Sequence, residues 1–417
     1  MTPLTAELPT IGASEGPAGT YRLFAAGSNA GLADHERTFG PLPVHGVDVH
    51  FIDVLEAAGL TGRGGAAFAA WRKIAATEDA RTGTLISAKP VVIGNGAEGE
   101  PLSFKDKTLL AHAPHLVIDG LLTAARAVSG TQLYIYTTAV NIPAVEAALA
   151  ERHDGRRIHI VEAPGTFISG EASAVVNGIS DGIGLPLDNR RRLSESGLKG
   201  RPTLVLNVET LAHIALIARY GSAWFRTTGS ERDPGTRLVS VSGHGGEQIL
   251  EVAGDSGLGQ VLANATIDPS TVQAVLIGGY HGRWVRPLDY RLSPTGQASN
   301  TVRPGAGVIH VLTDSQCGLE ATAQILSYLA DESAMQCGPC MFGLPAMARV
   351  LNAIAYGGGD PQLVRELDRL SKLVTGRGAC HHPDGTAQLV SSALETFSAD
   401  VAAHLAGSCT RTRGRTA

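Results

Sequence analysis

The sequence predicts an α/β domain with a parallel sheet, then a small α+β domain, then a C-terminal helical bundle. Three observations carry that expectation. Short β-branched runs alternate with helical segments from Val91 to a helix beginning near Glu209, the order that builds a parallel sheet with crossover helices. Residues 236–316 change to short strand-like runs with glycine-rich turns. From Gly318 onward the apolar spacing is helical, as in a bundle.

Residues 1–44, rich in Gly, Ala and Pro without a long period, are expected to form a partly ordered lead-in. The first domain is expected over 45–235. It opens with a helix at 51–60, where Ile52, Leu55 and Ala58 have helical spacing and Gly59 can cap the end. Strands follow at 91–93, 133–136, 158–161 and 204–206, separated by a long helical stretch at 107–128 and a helix at 143–152. The second domain, 236–317, carries strands at 238–241, 272–277 and 308–312, with Gly278-Gly279 in a turn. Helices at 319–330, 345–355, 362–374 and 387–406 make up a bundle over 318–407, and 408–417 reads as a disordered tail.

The chain of 417 residues is too long for one ordinary core. Its 43% hydrophobic and 18% charged composition is that of a water-soluble globular protein, and a net charge of −5 gives no reason to expect nucleic acid or anionic lipid as a partner. No apolar run reaches spanning length, since the stretch near Leu116 is broken by Asp119 and Arg126. The first residues lack the pattern of a secretory signal. Five cysteines, three of them clustered toward the C-terminus, suggest a metal site rather than a disulfide frame, and with it a cytoplasmic protein.

The densest chemical signal is Gly62-Arg63-Gly64-Gly65-Ala66-Ala67-Phe68, with Lys73 five residues on, then Asn95-Gly96-Ala97-Glu98-Gly99-Glu100-Pro101. Glycines admit a flat or phosphorylated ligand close to the backbone. A lysine just beyond can pair with phosphate, and the second segment offers amide and carboxylate groups to a polar ring edge. Gly62-x-Gly64-x-x-Ala67 also fits the dinucleotide fingerprint, but that fingerprint must leave a strand, and the residues before it read as a helix.

These two segments resemble the NADH- and FMN-binding flavoprotein subunit of respiratory complex I and related subunits of soluble hydrogenases and formate dehydrogenases. That family reads Gly-Arg-Gly-Gly-Ala-Gly-Phe, a lysine, then Asn-x-Asp-Glu-Gly-Glu-Pro-x-x-Phe-Lys-Asp. The likeness continues through Phe104-Lys105-Asp106, Gly170-Glu171, Gly200 to Thr203, Asn207 to Leu211, Pro234-Gly235-Thr236, Cys337-Gly338-Pro339-Cys340 and Cys380, and it spans 45–407. It implies a Rossmann-like FMN domain, a ubiquitin-like module of the soluble-ligand-binding type, and a helical bundle with an iron–sulfur motif. It also implies hydride transfer from NADH to FMN, release of single electrons to an iron–sulfur or membrane redox partner protein, a hetero-oligomer, and attachment to the inner membrane face only through partners.

By the same resemblance, FMN phosphate and ribityl lie near Gly62, Arg63, Gly64, Gly65, Lys73, Asn95, Asn207 and Thr210. Gly170, Glu171 and Phe167 line the flavin, and Phe68 and Glu100 face the nucleotide, with Glu100 the catalytic candidate; Glu98 is either a further cofactor-binding residue or a surface carboxylate. Four positions depart from the family. Ala97, Ala172, Leu206 and Phe167 stand where it has an acid, a second Glu, an Asn and a Tyr. Each departure removes a hydrogen-bonding group from around the cofactor, at about 0.5–1.5 kcal/mol per bond. Losing a carboxylate at Ala172, with Arg190, Arg191 and Arg192 nearby, also lowers the barrier to the 2′-phosphate of NADPH. Alternatively the arginines form a solvated loop or a docking patch for an acidic partner.

The family's first cluster cysteine is replaced by Ala334, leaving Cys337, Cys340 and Cys380. Three thiolates can hold a 4Fe–4S cluster with a fourth ligand from Ser333, His381, His382 or water, or a 3Fe–4S cluster. The rival is zinc with one of the histidines; a third reading is cysteines that only pack. Cys317 and Cys409 lie outside the motif and read as structural or incidental. The alternative to a catalytic flavoprotein is a structural or regulatory subunit that keeps the fold.

Overall fold

A computed structural model describes residues 9–11, 22–28, 31–43, 46–82, 89–187, 191–244, 246–286, 290–296, 298–357 and 359–411. The four expected strands form one parallel sheet in the order Ile158–Glu162, Gln132–Thr137, Val91–Gly96, Thr203–Asn207. Val91 to Ile93 are fully buried because both faces of this sheet are covered. Helices Pro114–Ala127 and Val208–Phe225 pack on one face, and helix Ala172–Asp181 contributes Val175 and Val176 to the other.

The expected long helix at 107–128 is two helices, Lys105–His112 and Pro114–Ala127, bent by 97°. Pro114 has no N–H to continue the first helix and pushes Ala113 out of helical geometry. Among the described residues no single helix is long and apolar enough to cross a membrane; this bent pair passes the length and composition test only when its halves are joined. Gly120 lets the second helix touch helix Val208–Phe225 backbone to backbone, since a Cβ there would overlap the Leu211 carbonyl.

A buried charge cluster locks this layer. Asp119 accepts from Arg152 at 2.6 Å, Arg219 at 2.5 Å and His35 at 2.7 Å. Burial pushes its carboxyl up, but His35 and the two arginines more than offset that and hold it at about 2. Its contribution is therefore full above the ordinary aspartate value near ~4 and disappears as pH falls toward about 2. Asp119→Asn leaves two buried guanidiniums short of charge, and is expected to cost about 3–5 kcal/mol in denaturant unfolding at neutral pH. A loss below about 1 kcal/mol would show that the arginines find solvent instead.

The second domain is a mixed sheet in the order Thr10–Ile11, Gln248–Ala253, Thr236–Ser242, Val308–Thr313, Val272–Ile277, Arg283–Val285. Thr236–Ser242 and Gln248–Ala253 form an antiparallel hairpin, and Val308–Thr313 returns parallel to the first of them. The lead-in is more structured than its composition suggests. Thr10–Ile11 adds an edge strand, and Leu32–Phe39 is a helix. The backbone N–H groups of Arg22 and Leu23 donate to buried Glu251, while the Arg22 guanidinium binds the Phe225 carbonyl and Thr228 and stacks 4.1 Å over Trp224.

The bundle consists of Gly318–Asp331, Leu344–Asn352, Gln362–Val374 and His382–Thr396, with Ser398–Leu405 as a fifth, short helix. The expected helix at 387–406 is thus broken at Phe397, which is buried against Trp284 of the second domain. Part of the expected disordered tail is placed: the Ser408 N–H donates to Ala403, Thr410 bonds Asp400, and Arg411 donates to the Asp314 carbonyl at 3.0 Å. Residues 412–417 lie outside the described residues.

Candidate functional site

Helix Phe51–Ala58 ends at Gly59 in the left-handed conformation, so the element before the glycine loop is a helix. The loop is closed by the Gly62 N–H donating to the Phe68 carbonyl at 2.8 Å, and it opens helix Ala70–Thr82, whose first turn carries Lys73. Among the described residues the N–H groups of Gly64, Gly65, Ala66 and Ala67 have no partner, nor does the Lys73 ammonium. Desolvation at the cleft wall lowers the Lys73 pKa, and the nearby Glu171 charge partly restores it. Free amides at a helix start beside an unpaired cation make an anion cradle. Gly65 has φ +105, a conformation that favours glycine, and Ala67 takes φ +50 where the family pattern has glycine.

This loop opens onto a cleft of about 1530 Å³, large enough for a flavin mononucleotide and a nucleotide together. Of the residues singled out from the sequence, Gly62, Gly64, Gly65, Phe68, Lys73, Asn95, Glu98, Glu100, Phe167, Gly170, Glu171, Asn207 and Thr210 line it. Phe68 is 47% exposed and free to stack on a ring. The cleft lining and the anion cradle fit FMN.

Arg63 does not join the others. Its guanidinium is buried and turned away, donating to Thr61, Asp233 and the Pro234 and Thr236 carbonyls, and burial lowers its pKa to about 10. Arg63 clamps the loop to the start of the second domain. Its backbone N–H donates to Thr210 Oγ1.

Several other candidates hold the walls rather than point free groups inward. The Glu98 carboxylate accepts the Asp106 and Lys107 N–H groups at 2.8 Å, capping helix Lys105–His112. Glu171 caps helix Ala172–Asp181 through the Ser173 and Ala174 N–H groups. The Asn95 amide donates to the Gly170 carbonyl at 2.9 Å. Asn207 accepts the Glu209 N–H as a helix cap and donates to Asp106 at 2.7 Å. Behind them, Lys105 is buried between Asp106 at 2.6 Å and Glu209 at 3.0 Å, its pKa raised by those charges despite burial.

Glu100 spans two domains. Its carboxylate accepts from the Tyr280 N–H at 2.7 Å and the Leu102 N–H at 3.3 Å, and burial raises its pKa to about 7. Near neutral pH it therefore titrates. Tyr280 and His281, which sequence reasoning passed over, form an aromatic box with Phe167, Tyr328 and His382. For Tyr280 and His281 the only sequence signal was the Gly278-Gly279 turn just before them.

Of the four departures from the family pattern, Ala172, Leu206 and Phe167 line the cleft, and Ala97 is buried. Arg191 and Arg192 are exposed and are not among its lining; Arg190 lies outside the described residues.

The three motif cysteines come together. Cys337 lies just before the π-helical turn Pro339–Gly343 and Cys340 within it, and the Cys337, Cys340 and Cys380 thiols are close enough to influence one another's ionisation. Burial pushes Cys340 up to about 12. For Cys337 burial acts upward too, but the Ala379 and Cys340 N–H groups more than offset it and its pKa is lowered. Thiols that accept backbone N–H bonds are the donor set that an iron–sulfur cluster takes.

Among the candidate fourth ligands, His382 is already used. Its Nε2–H donates to the Leu329 carbonyl at 2.8 Å, and its Nδ1 accepts from His281 at 3.0 Å. His381 is fully exposed beside Asp384. The Ser333 hydroxyl, next to Ala334, is buried without a hydrogen-bond partner among the described residues. Three thiols and an orphaned hydroxyl fit a cluster. Cys380 also lines the same cleft as the glycine loop.

Comparison with known proteins agrees with this layout. Residues 55–216 match the family described as the Nuo51 FMN-binding domain, and residues 320–404 match the iron–sulfur binding region of NADH-ubiquinone oxidoreductase-F. The chain is 29% identical over 378 residues to an F-type subunit of NADH-quinone oxidoreductase of Rhizobium meliloti (strain 1021), covering 85% of this chain and 88% of that one. It is 29% identical over 386 residues to the F-type subunit of NADH-quinone oxidoreductase of Mycobacterium tuberculosis (strain ATCC 25618 / H37Rv), covering 85% and 84%. Among solved structures it resembles an NAD+-reducing NiFe-hydrogenase in the H2-reduced state, with a TM-score of 0.78, 26% identity and 87% of this chain covered. It spans 63% of the length of that hydrogenase chain.

Proposed function

We propose, from the premise that this chain belongs to the family of NADH-binding FMN flavoproteins that includes the F-type subunits of NADH-quinone oxidoreductase, that it is the NADH-oxidising member of a hetero-oligomeric redox enzyme. The observation that carries this reading is one cleft lined both by the glycine loop with Lys73 and by Cys380. Bound FMN supplies hydride acceptance and one-electron release, and an iron–sulfur cluster supplies the onward relay. The protein's part is placement. The free amides of Gly64 to Ala67 and the Lys73 ammonium hold a phosphate. Phe68 offers a stacking face to the nucleotide, and the aromatic box around Phe167 keeps water from the side facing the cysteines. Glu100, poised at about 7, changes charge at the cleft wall within the working pH range. Cys337, Cys340 and Cys380 would hold the cluster, and Ser333, one residue before Ala334, is the candidate for an oxygen ligand. The relatives are named as subunits, so a redox partner protein is the expected electron acceptor.

Apolar side chains at Ala172, Leu206 and Phe167 favour the second reading, a subunit that keeps the fold without turnover. Anaerobically purified protein separates the two. The first reading expects flavin absorption bands, a broad iron–sulfur shoulder, and bleaching of both on adding NADH; a colourless protein inert to NADH would leave only the second. Running the same assay with NADPH, in the native protein and in Ala172→Glu, tests whether the missing carboxylate relaxes nucleotide choice. The added charge should penalise NADPH alone.

A further inference from the structure

The two cysteines that the motif leaves over meet at the opposite end of the bundle. Cys317 caps helix Gly318–Asp331, and Cys409 follows the short last helix Ser398–Leu405. His404 lies in the last turn of that helix and is buried. The donor atoms of Cys317, Glu320, His404 and Cys409 all lie within 4.8 Å of one another. The Cys317 Sγ is 3.3 Å from His404 Nε2, and the Cys409 thiol lies within 4.8 Å of both.

We propose that Cys317, His404 and Cys409 bind a zinc ion, with the Glu320 carboxylate or a water completing a tetrahedron. Zinc takes thiolate sulfur at about 2.3 Å and imidazole nitrogen at about 2.0–2.1 Å, so neighbouring donors in a tetrahedron stand about 3.3–3.8 Å apart. The Cys317–His404 separation is already that edge. The imidazole is oriented for ligation, because its Nδ1–H donates to the Ala355 carbonyl at 2.8 Å and leaves the Nε2 lone pair facing the thiols. Cys317 stands at the N-cap of helix Gly318–Asp331, where the positive end of the helix dipole favours a thiolate. Cys409 is carried to its place by the Thr410–Asp400 and Arg411–Asp314 bonds on either side of the cluster.

Binding is an acid–base event. Two thiols each give up a proton to solvent as two sulfur–zinc bonds form, and nothing is oxidised or reduced. A disulfide would use the same two cysteines. In the structure, however, both are free thiols, with Cys317 turned to the His404 imidazole. The two thiolates bracket the whole bundle, from the residue before its first helix to the segment after its last. The ion thus closes the loop that contains Cys337, Cys340 and Cys380. Its role is a staple, separate from the relay.

The test is metal analysis of the full chain purified after growth with zinc, together with Cys409→Ser, His404→Ala and the Cys337→Ser/Cys340→Ser/Cys380→Ser triple variant. One equivalent of zinc is expected in the native and triple-variant proteins, and none in Cys409→Ser or His404→Ala of unchanged gel-filtration profile. Cys409 lies outside every helix, so its serine variant tests the ligand without breaking the bundle. With Co2+ in place of Zn2+, the native-minus-Cys409→Ser difference spectrum should show tetrahedral d–d bands and thiolate charge transfer. Chelation should lower the Tm of the native protein by about 5 °C or more and leave Cys409→Ser unmoved. Native protein without zinc, zinc retained in the Cys409 and His404 variants, or a Cys317–Cys409 disulfide found by thiol mapping would each overturn the proposal.

Discussion

Gly65→Glu is expected to yield a folded protein without flavin. Gly65 stands in a loop whose amides lack partners, and a side chain there extends into the cleft that Lys73 faces. A carboxylate about 4 Å from the FMN phosphate costs about 4 kcal/mol at an effective dielectric of 20, roughly a thousandfold in affinity. Backbone strain is a second effect, because φ +105 disfavours any side chain. Gly65→Ala isolates it. A Cβ there meets nothing closer than 3.8 Å, so the alanine variant carries strain alone and should keep most of its flavin. Flavin content after gel filtration, read as the ratio of 450 nm to 280 nm absorbance, decides between them. Equal loss in both variants would mean that loop shape, not charge at the phosphate, governs binding.

Cys340→Ala is expected to separate the two halves of the reaction. Cys340 is buried beside Cys337, so its removal leaves two thiols where three met. Iron and acid-labile sulfide should fall to background while flavin stays. NADH oxidation by a small two-electron acceptor should persist, and electron delivery to a one-electron protein acceptor should drop by roughly two orders of magnitude as the relay is lost. Lys73 and Gly64 line the cleft and Cys340 does not, which is why flavin retention is the control. Full one-electron turnover without iron would show that the flavin delivers to the partner directly.

Periodicity carries much of the architecture because it reports burial. The runs at 91–93, 133–136 and 204–206 are almost wholly apolar and form three strands of the parallel sheet, while 158–161, with exposed His159, forms an edge strand. Gly59 is readable as a cap because only a left-handed residue ends a helix that way. The break at Ala113 has a local signal in Pro114; the break at Phe397 does not, since it is fixed by Trp284 from another domain.

The site divides along the same line. A glycine loop, a lysine one turn into a helix and three spaced cysteines are legible as ligand chemistry, because each needs its own residue type whatever surrounds it. The orientation of a polar side chain carries no such mark. Arg63 sits inside the glycine motif yet turns away to Asp233, because a buried guanidinium goes where carboxylate and carbonyl acceptors meet it. Glu98 and Asn207 cap helices for the same reason: orphan N–H groups at a helix start are their nearest donors. Arg22 could not be read from a lead-in rich in Gly and Pro, since its partners Trp224 and Thr228 are two hundred positions away. Cys317 and Cys409 look incidental in the sequence because 92 residues separate them, and only the folded bundle brings their sulfurs within 4.8 Å. Local order thus assigned the family, the sheet and the ligand types. Which polar groups face the cleft and which hold its walls was decided by long-range contacts, where the requirement that every buried charge find a partner outranks any pattern along the chain.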